Sequence, residues 1–181
     1  MALLEVKDLS VSFLSDGKLL PAVSNVSFSV EEGEILALVG ESGCGKSITC
    51  MSLARLLPGA ARILSGEVKL KTGPGETTDV MKLEGRELRK IRGGKIAYIF
   101  QEPSVSLNPV FRVGEQIAEA LELHRPEVSD PWKEAEELLK KVGIPDPASR
   151  VRLYPHEMSG GMQQRVMIAM AIASHPALLI A

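Results

Sequence analysis

Apolar and polar positions alternate strictly over Val26-Ser27-Phe28-Ser29-Val30, the period of a strand with one face in a core. Leu4 to Leu9 predicts a short strand before it, and Glu67 to Lys71 predicts another after the Ser65-Gly66 turn. Ile35 to Val39 is an unbroken apolar run, the pattern of a buried strand, with Glu32-Gly33-Glu34 turning the chain into it. Ser47 to Leu57 carries no breaker and stops at Pro58-Gly59, which predicts a helix. Thr72 to Thr78 has the composition of a surface loop, and Lys95 to Phe100 reads as the next buried strand.

Beyond residue 112 the period lengthens. Val113, Ile117, Ala120 and Leu121 form one helical stripe, and Trp132, Ala135, Leu138, Leu139 and Val142 form a second. These helices read as an insert between two halves of an α/β core. Pro145 to Pro155 is irregular. Gly161 to Ser174 is helical again, with Val166, Ala169, Met170 and Ala173 on its apolar face, and Leu178 to Ala181 re-enters a strand.

Composition changes this picture little. The 181 residues are 45% hydrophobic and 24% charged, as expected for a globular domain with a real core. A net charge of -2 gives no electrostatic reason to expect a nucleic-acid partner. The longest apolar run, Val166 to Ala173, is well short of the roughly 20 residues that span a bilayer. The amino terminus lacks a basic region followed by an apolar core, so a cytoplasmic location is expected. Cys44 and Cys50 lie roughly 9 Å apart if the chain between them is helical, too far for a disulfide. His124, His156 and His175 lack the spacing of metal ligands.

Candidate chemistry begins at Gly40-Glu41-Ser42-Gly43-Cys44-Gly45-Lys46-Ser47, which fits G-x-x-x-x-G-K-[ST] between an apolar run and a breaker-free helix. Glycines let such a loop curl with its N–H groups inward, and the positive end of the following helix favours an anion. Lys46 adds a compact charge for the β and γ phosphates, and Ser47 offers its hydroxyl to Mg2+. The loop is therefore expected to hold a nucleoside triphosphate, with Glu41 and Cys44 contributing mainly backbone; by itself it leaves kinases, GTPases and many ATPases open.

A second constellation, Met158-Ser159-Gly160-Gly161-Met162-Gln163-Gln164-Arg165, places Ser159, Gly160 and Gly161 at the start of a helix, a second anion-binding end. Together the two motifs resemble the P-loop and signature motif of ABC transporter ATPases. The finer likeness is to the oligopeptide, dipeptide and nickel importer branch, carried by "GESGCGKSIT", "FQEPSVSLNPVFRVGEQI" and "YPHEMSGGMQQRVMIAMAIA". Met162 replaces the generic signature glutamine, as is usual in that branch.

The resemblance implies a P-loop NTPase fold of ABC type: α/β, with an antiparallel β subdomain and a helical subdomain. It implies divisions at 1–110 (β subdomain, P-loop core and Q-loop), 111–158 (helical subdomain) and 159–181 (signature helix and the start of the next core strand). Gln101 resembles the glutamine that touches Mg2+ and the attacking water. Phe13 resembles the aromatic that stacks on adenine, a core phenylalanine being the alternative. Expected partners are a second ABC ATPase subunit, identical or homologous, whose P-loop Ser159, Gly160, Gly161 and Met162 would cap; membrane permease subunits; and, through them, an extracytoplasmic solute-binding protein. The protein would then lie on the inner face of the plasma membrane.

In that family the strand begun by Leu178 to Ala181 ends in an aspartate and a glutamate that serve Mg2+ and the attacking water. The 181 residues contain neither, so the expectation is a C-terminally incomplete domain with negligible ATP turnover by itself. A non-catalytic nucleotide-binding or dimerisation module is the alternative; a chromosome-organising ATPase is disfavoured by the absence of heptads.

Overall fold

Val26, Phe28 and Val30 do share the inner face of a strand, and that strand is longer than its pattern. The computed structural model describes residues 2–102 and 106–181, which form two units divided after Ile91. In the first unit β1 (Leu4–Ser15), β2 (Lys18–Val30), β3 (Ala61–Gly73) and β4 (Glu76–Asp79) make an antiparallel sheet in the order β2-β1-β3-β4.

Leu4, Val6, Leu9 and Val11 of β1 are all essentially fully buried, although Val6 and Leu9 are an odd number of residues apart. A bulge at Lys7-Asp8 shifts the register so that Val6 faces Phe28 and Leu9 faces Val26. The Ser27 hydroxyl accepts the Asp8 N–H at 2.8 Å, satisfying a donor that the bulge leaves over.

Three expectations are corrected here. Thr72 to Thr78 is a tight hairpin, not an open loop: Gly73 pairs with Glu76 across Pro74-Gly75. The helix after the glycine-rich loop, α1, runs only Lys46–Ser52. Beyond it the chain turns, with Arg55 at φ 56 and its guanidinium donating to the carbonyls of Met81 and Leu83. Ile35 to Val39 belongs to no ladder among the described residues, and Ile35 and Val39 are 95% and 91% exposed. A parallel strand takes all its hydrogen bonds from neighbours, so an apolar run without them has the composition of a core strand and not its structure. A three-residue turn of tight helix at Val80–Lys82 and α2 (Gly85–Ile91) complete this unit.

In the second unit β5 (Ile96–Tyr98) pairs in parallel with β6 (Leu178–Ile180). Between them lie α3 (Val113–His124), α4 (Pro131–Lys141), the short α5 (Pro147–Arg150) and α6 (Gly160–Ala173). The predicted stripes are the core: Val113, Ile117 and Leu121 of α3 meet Ala135, Leu138 and Leu139 of α4 and Val166, Ala169 and Ala173 of α6. Each fully buried leucine there contributes enough that its loss to alanine costs about 2–5 kcal/mol. Trp132 is the exception in its stripe, 37% exposed at the first turn of α4.

Candidate functional site

Gly40 to Gly45 form one continuous loop leading into α1, whose first two residues are Lys46 and Ser47. Gly45 caps the helix in the left-handed region, φ 93, and a Cβ there would stand 2.5 Å from the Ala22 carbonyl oxygen of β2. Only glycine meets both demands. The Gly45 carbonyl accepts the Thr49 N–H at 2.8 Å and the Thr49 hydroxyl at 3.0 Å, which ties the loop to the helix behind it.

Lys46 folds back over the loop. Its Nζ donates to the carbonyls of Gly40 at 2.8 Å and Glu41 at 2.7 Å and lies 3.5 Å from Cys44 Sγ. The ammonium thus joins the first two residues of the loop to its last turn, beside the amino terminus of α1, where the helix adds partial positive charge. No acidic residue stands in the first turn of α1 to cancel it. The Ser42 and Ser47 side chains are exposed, and Cys44 covers Gly40, where a Cβ would meet its sulfur at 2.7 Å. Both cysteines are free thiols; burial pushes the thiol of Cys50, on α1, above its usual range.

Phe13 lies half-buried on β1, in register with Leu20 of β2 and Ala61 of β3. Gln101 is exposed and follows Tyr98 and Phe100, whose rings stack 5.9 Å apart. Among the described residues no group of three or more His, Cys, Asp or Glu is placed to hold a metal ion. An ion bound to oxygens of the triphosphate asks less of the protein, and hydroxyl and amide oxygens of the kind Ser47 and Gln101 carry suit Mg2+.

In the second unit Ser159 caps α6, accepting the Met162 N–H at 3.4 Å, with Gly160 and Gly161 exposed behind it. Met162 turns inward against the helical core. The loop motif and the helix-start motif are each gathered locally, one in each unit.

Two amides escaped sequence reasoning. Gln163 Nε2 donates to the carbonyls of Pro155 at 2.7 Å and Met158 at 3.2 Å. Gln116, only 7% exposed, accepts the Asn108 N–H at 2.9 Å and donates to the carbonyls of Asn108 and Phe111, both at 3.0 Å. The sequence signal for Gln116 was its place three residues after Val113 and four before Ala120, on the side of the helix that the apolar stripe occupies.

The profile of the family described as ABC transporter matches residues 23–181. The chain is 48% identical over 181 residues to a probable peptide ABC transporter ATP-binding protein, y4tR, of Sinorhizobium fredii, covering 99% of this chain and 52% of that protein. It is 47% identical over 182 residues to the dipeptide transport ATP-binding protein DppD of Haemophilus influenzae, covering 100% and 54%. With the glutathione import ATP-binding protein GsiA of Escherichia coli it shares 45% identity over 180 residues, 98% of this chain and 29% of that one. The chain thus spans about half the length of the first two relatives. Among solved structures, the dimeric post-hydrolysis state of the ATP-binding cassette MJ0796 with ADP and Pi superposes with a TM-score of 0.82 at 27% identity, over 97% of this chain and 72% of that one.

Proposed function

The chain belongs to the ABC transporter family, and from that premise we propose that it is the ATP-binding part of an importer of peptides, or of nickel or a related solute. The observation that carries the nucleotide site is the arc of Gly40 to Lys46, closed by the ammonium on the Gly40 and Glu41 carbonyls at the start of a helix whose first turn holds no acidic residue. ATP would take its phosphates there, the Ser47 hydroxyl would hold Mg2+ and Phe13 would stack on the base, while the Gln101 amide oxygen is of the kind Mg2+ takes as a further ligand. Bound ATP supplies the phosphoryl group whose transfer to water resets the cycle. Lys46 neutralises the phosphate charge, Gln101 orients the water, and the loop backbone holds the phosphates in line.

Ser159, Gly160, Gly161 and Met162 serve a second subunit, identical or homologous, by meeting the terminal phosphate of its nucleotide. Residues 111–158 form the helical subdomain between a core of residues 1–110 and the signature helix that begins at 159. The motion of the pair is handed to membrane permease subunits at the cytoplasmic face, which receive solute from an extracytoplasmic binding protein. No helix among the described residues is long and apolar enough to cross a membrane. The peptide class is supported by the names of the relatives, which act on peptides, dipeptides and glutathione.

Equilibrium binding of a fluorescent ATP analogue, with and without Mg2+, tests the site. Tight Mg2+-dependent binding that Lys46→Ala weakens by about tenfold or more is expected, on the scale of one charged hydrogen-bond donor lost. Binding that survives Lys46→Ala unchanged removes the site. Uptake of labelled di- and oligopeptides by cells with and without the intact gene tests the transport class.

A further inference from the structure

Gln163 reaches back from α6 onto the chain that enters the helix. Its side-chain N–H groups go to the carbonyls of Pro155 and Met158, and its backbone N–H donates to Ser159 O at 2.9 Å. One residue thus holds three carbonyls on the approach to the exposed turn. The approach is braced from below as well: Tyr154 N–H donates to the Glu157 carboxylate at 2.8 Å, Met158 N–H donates to Pro155 O at 3.0 Å, and Pro155 and Met158 are buried.

Side chains do little to steady the turn. Gly160 and Gly161, the first two residues of α6, carry none, and among the described residues nothing outside the helix's own backbone lies within 4 Å of where a Cβ on either would stand. The cap from Ser159 to Met162 is long, at 3.4 Å. The direction of the Ser159–Gly161 backbone is therefore set by α6 on one side and by what grips the chain on the other, where the Gln163 amide holds two carbonyls.

We infer that Gln163 is a positioning residue for the Ser159–Gly161 turn: its two donated hydrogen bonds aim the turn at the terminal phosphate of a nucleotide held by a second subunit. This rests on the reading of that turn as a phosphate contact. The role asks residue 163 for donors. A glutamate of the same length has none and turns its oxygens toward two carbonyls, whereas an arginine supplies a planar fork of N–H groups.

The test uses the full-length protein and compares wild type, Gln163→Glu and Gln163→Arg in three measurements. These are ATP-driven dimerisation by sedimentation, ATP affinity of the monomer, and melting temperature. The expected result is a loss of dimerisation in Gln163→Glu of at least about tenfold, the scale of two hydrogen bonds turned to repulsions. Monomer affinity should stay within about twofold and Gln163→Arg should recover most of the loss, since the P-loop belongs to the other unit and donors are restored.

Dimerisation of Gln163→Glu equal to wild type overturns the inference, as does failure of both variants alike. A loss matched by equal falls in monomer affinity and melting temperature overturns it too, because the contact is then only structural. Wild type that binds ATP through Lys46 but never dimerises sinks the inference and leaves the nucleotide site standing. Wild type that does not bind ATP sinks both.

Discussion

The Arg165 guanidinium sits against Gly143, donating to its carbonyl at 3.1 Å and to that of Val142 at 2.7 Å, so closely that a Cβ on Gly143 would stand 2.4 Å from Nη1. Gly143 ends α4 in the left-handed region, φ 77. Ile144 N–H donates to Leu139 O and Gly143 N–H to Lys140 O, both at 2.9 Å, while Ile144 and Leu139 meet in the core. One glycine thus closes one helix and receives the side chain of another. Gly143→Ala should destabilise the protein by about 1–2 kcal/mol from the left-handed backbone alone, with more where the guanidinium is displaced. Chemical denaturation of this variant beside Arg165→Ala checks it; a Gly143→Ala protein as stable as wild type refutes the account.

Gly45→Ala puts a methyl group against the Ala22 carbonyl, backbone that cannot swing aside as a side chain does. The loop must then move or strain, and nucleotide affinity should fall roughly tenfold for every 1.4 kcal/mol spent in restoring its shape. Titration with ATP reads this, and unaltered affinity would mean that the loop tolerates a different path.

Cys44 is exposed beside Lys46, while Cys50 is half-buried with its thiol held protonated to higher pH by desolvation. A maleimide at neutral pH should therefore modify Cys44 well before Cys50, since the thiolate is the reacting form. Mg2+-ATP should slow the first reaction and leave the second alone. Mass spectrometry of peptides from timed samples distinguishes the two, and protection of neither cysteine counts against phosphate in the loop.

His124, at the end of α3, is half-buried against Gly93, and burial lowers its pKa. The unfolded chain then takes up a proton at higher pH than the folded one. Stability is full above the ordinary histidine value of about 6.5 and falls as pH drops from there toward the lowered folded value. Melting temperatures taken between about pH 7.5 and pH 5 should show this decline, and His124→Gln should flatten it. A slope identical in the variant assigns the effect to another group.

Local pattern was enough for much of the molecule. The helical stripes on α3, α4 and α6 and the phosphate-loop motif each lie within one short stretch, where spacing alone decides which side chains share a face or a curl. The run Ile35 to Val39 shows the limit, because its fate depends on ladders that other segments must offer.

The amino-acid sequence by itself determined that the chain is an α/β protein with a glycine-rich loop leading into one helix and a glycine-rich start to another, since both are contiguous. Tertiary structure alone decided that Asp8 bulges so that Val6 and Leu9 face one core, and that Gln116 clasps Asn108. It also decided that Gln163 grips Pro155 and Met158, and that Arg165 closes over Gly143. The acceptors in the last three are backbone carbonyls, which every residue carries, so only folding selects which of them a given amide or guanidinium will meet.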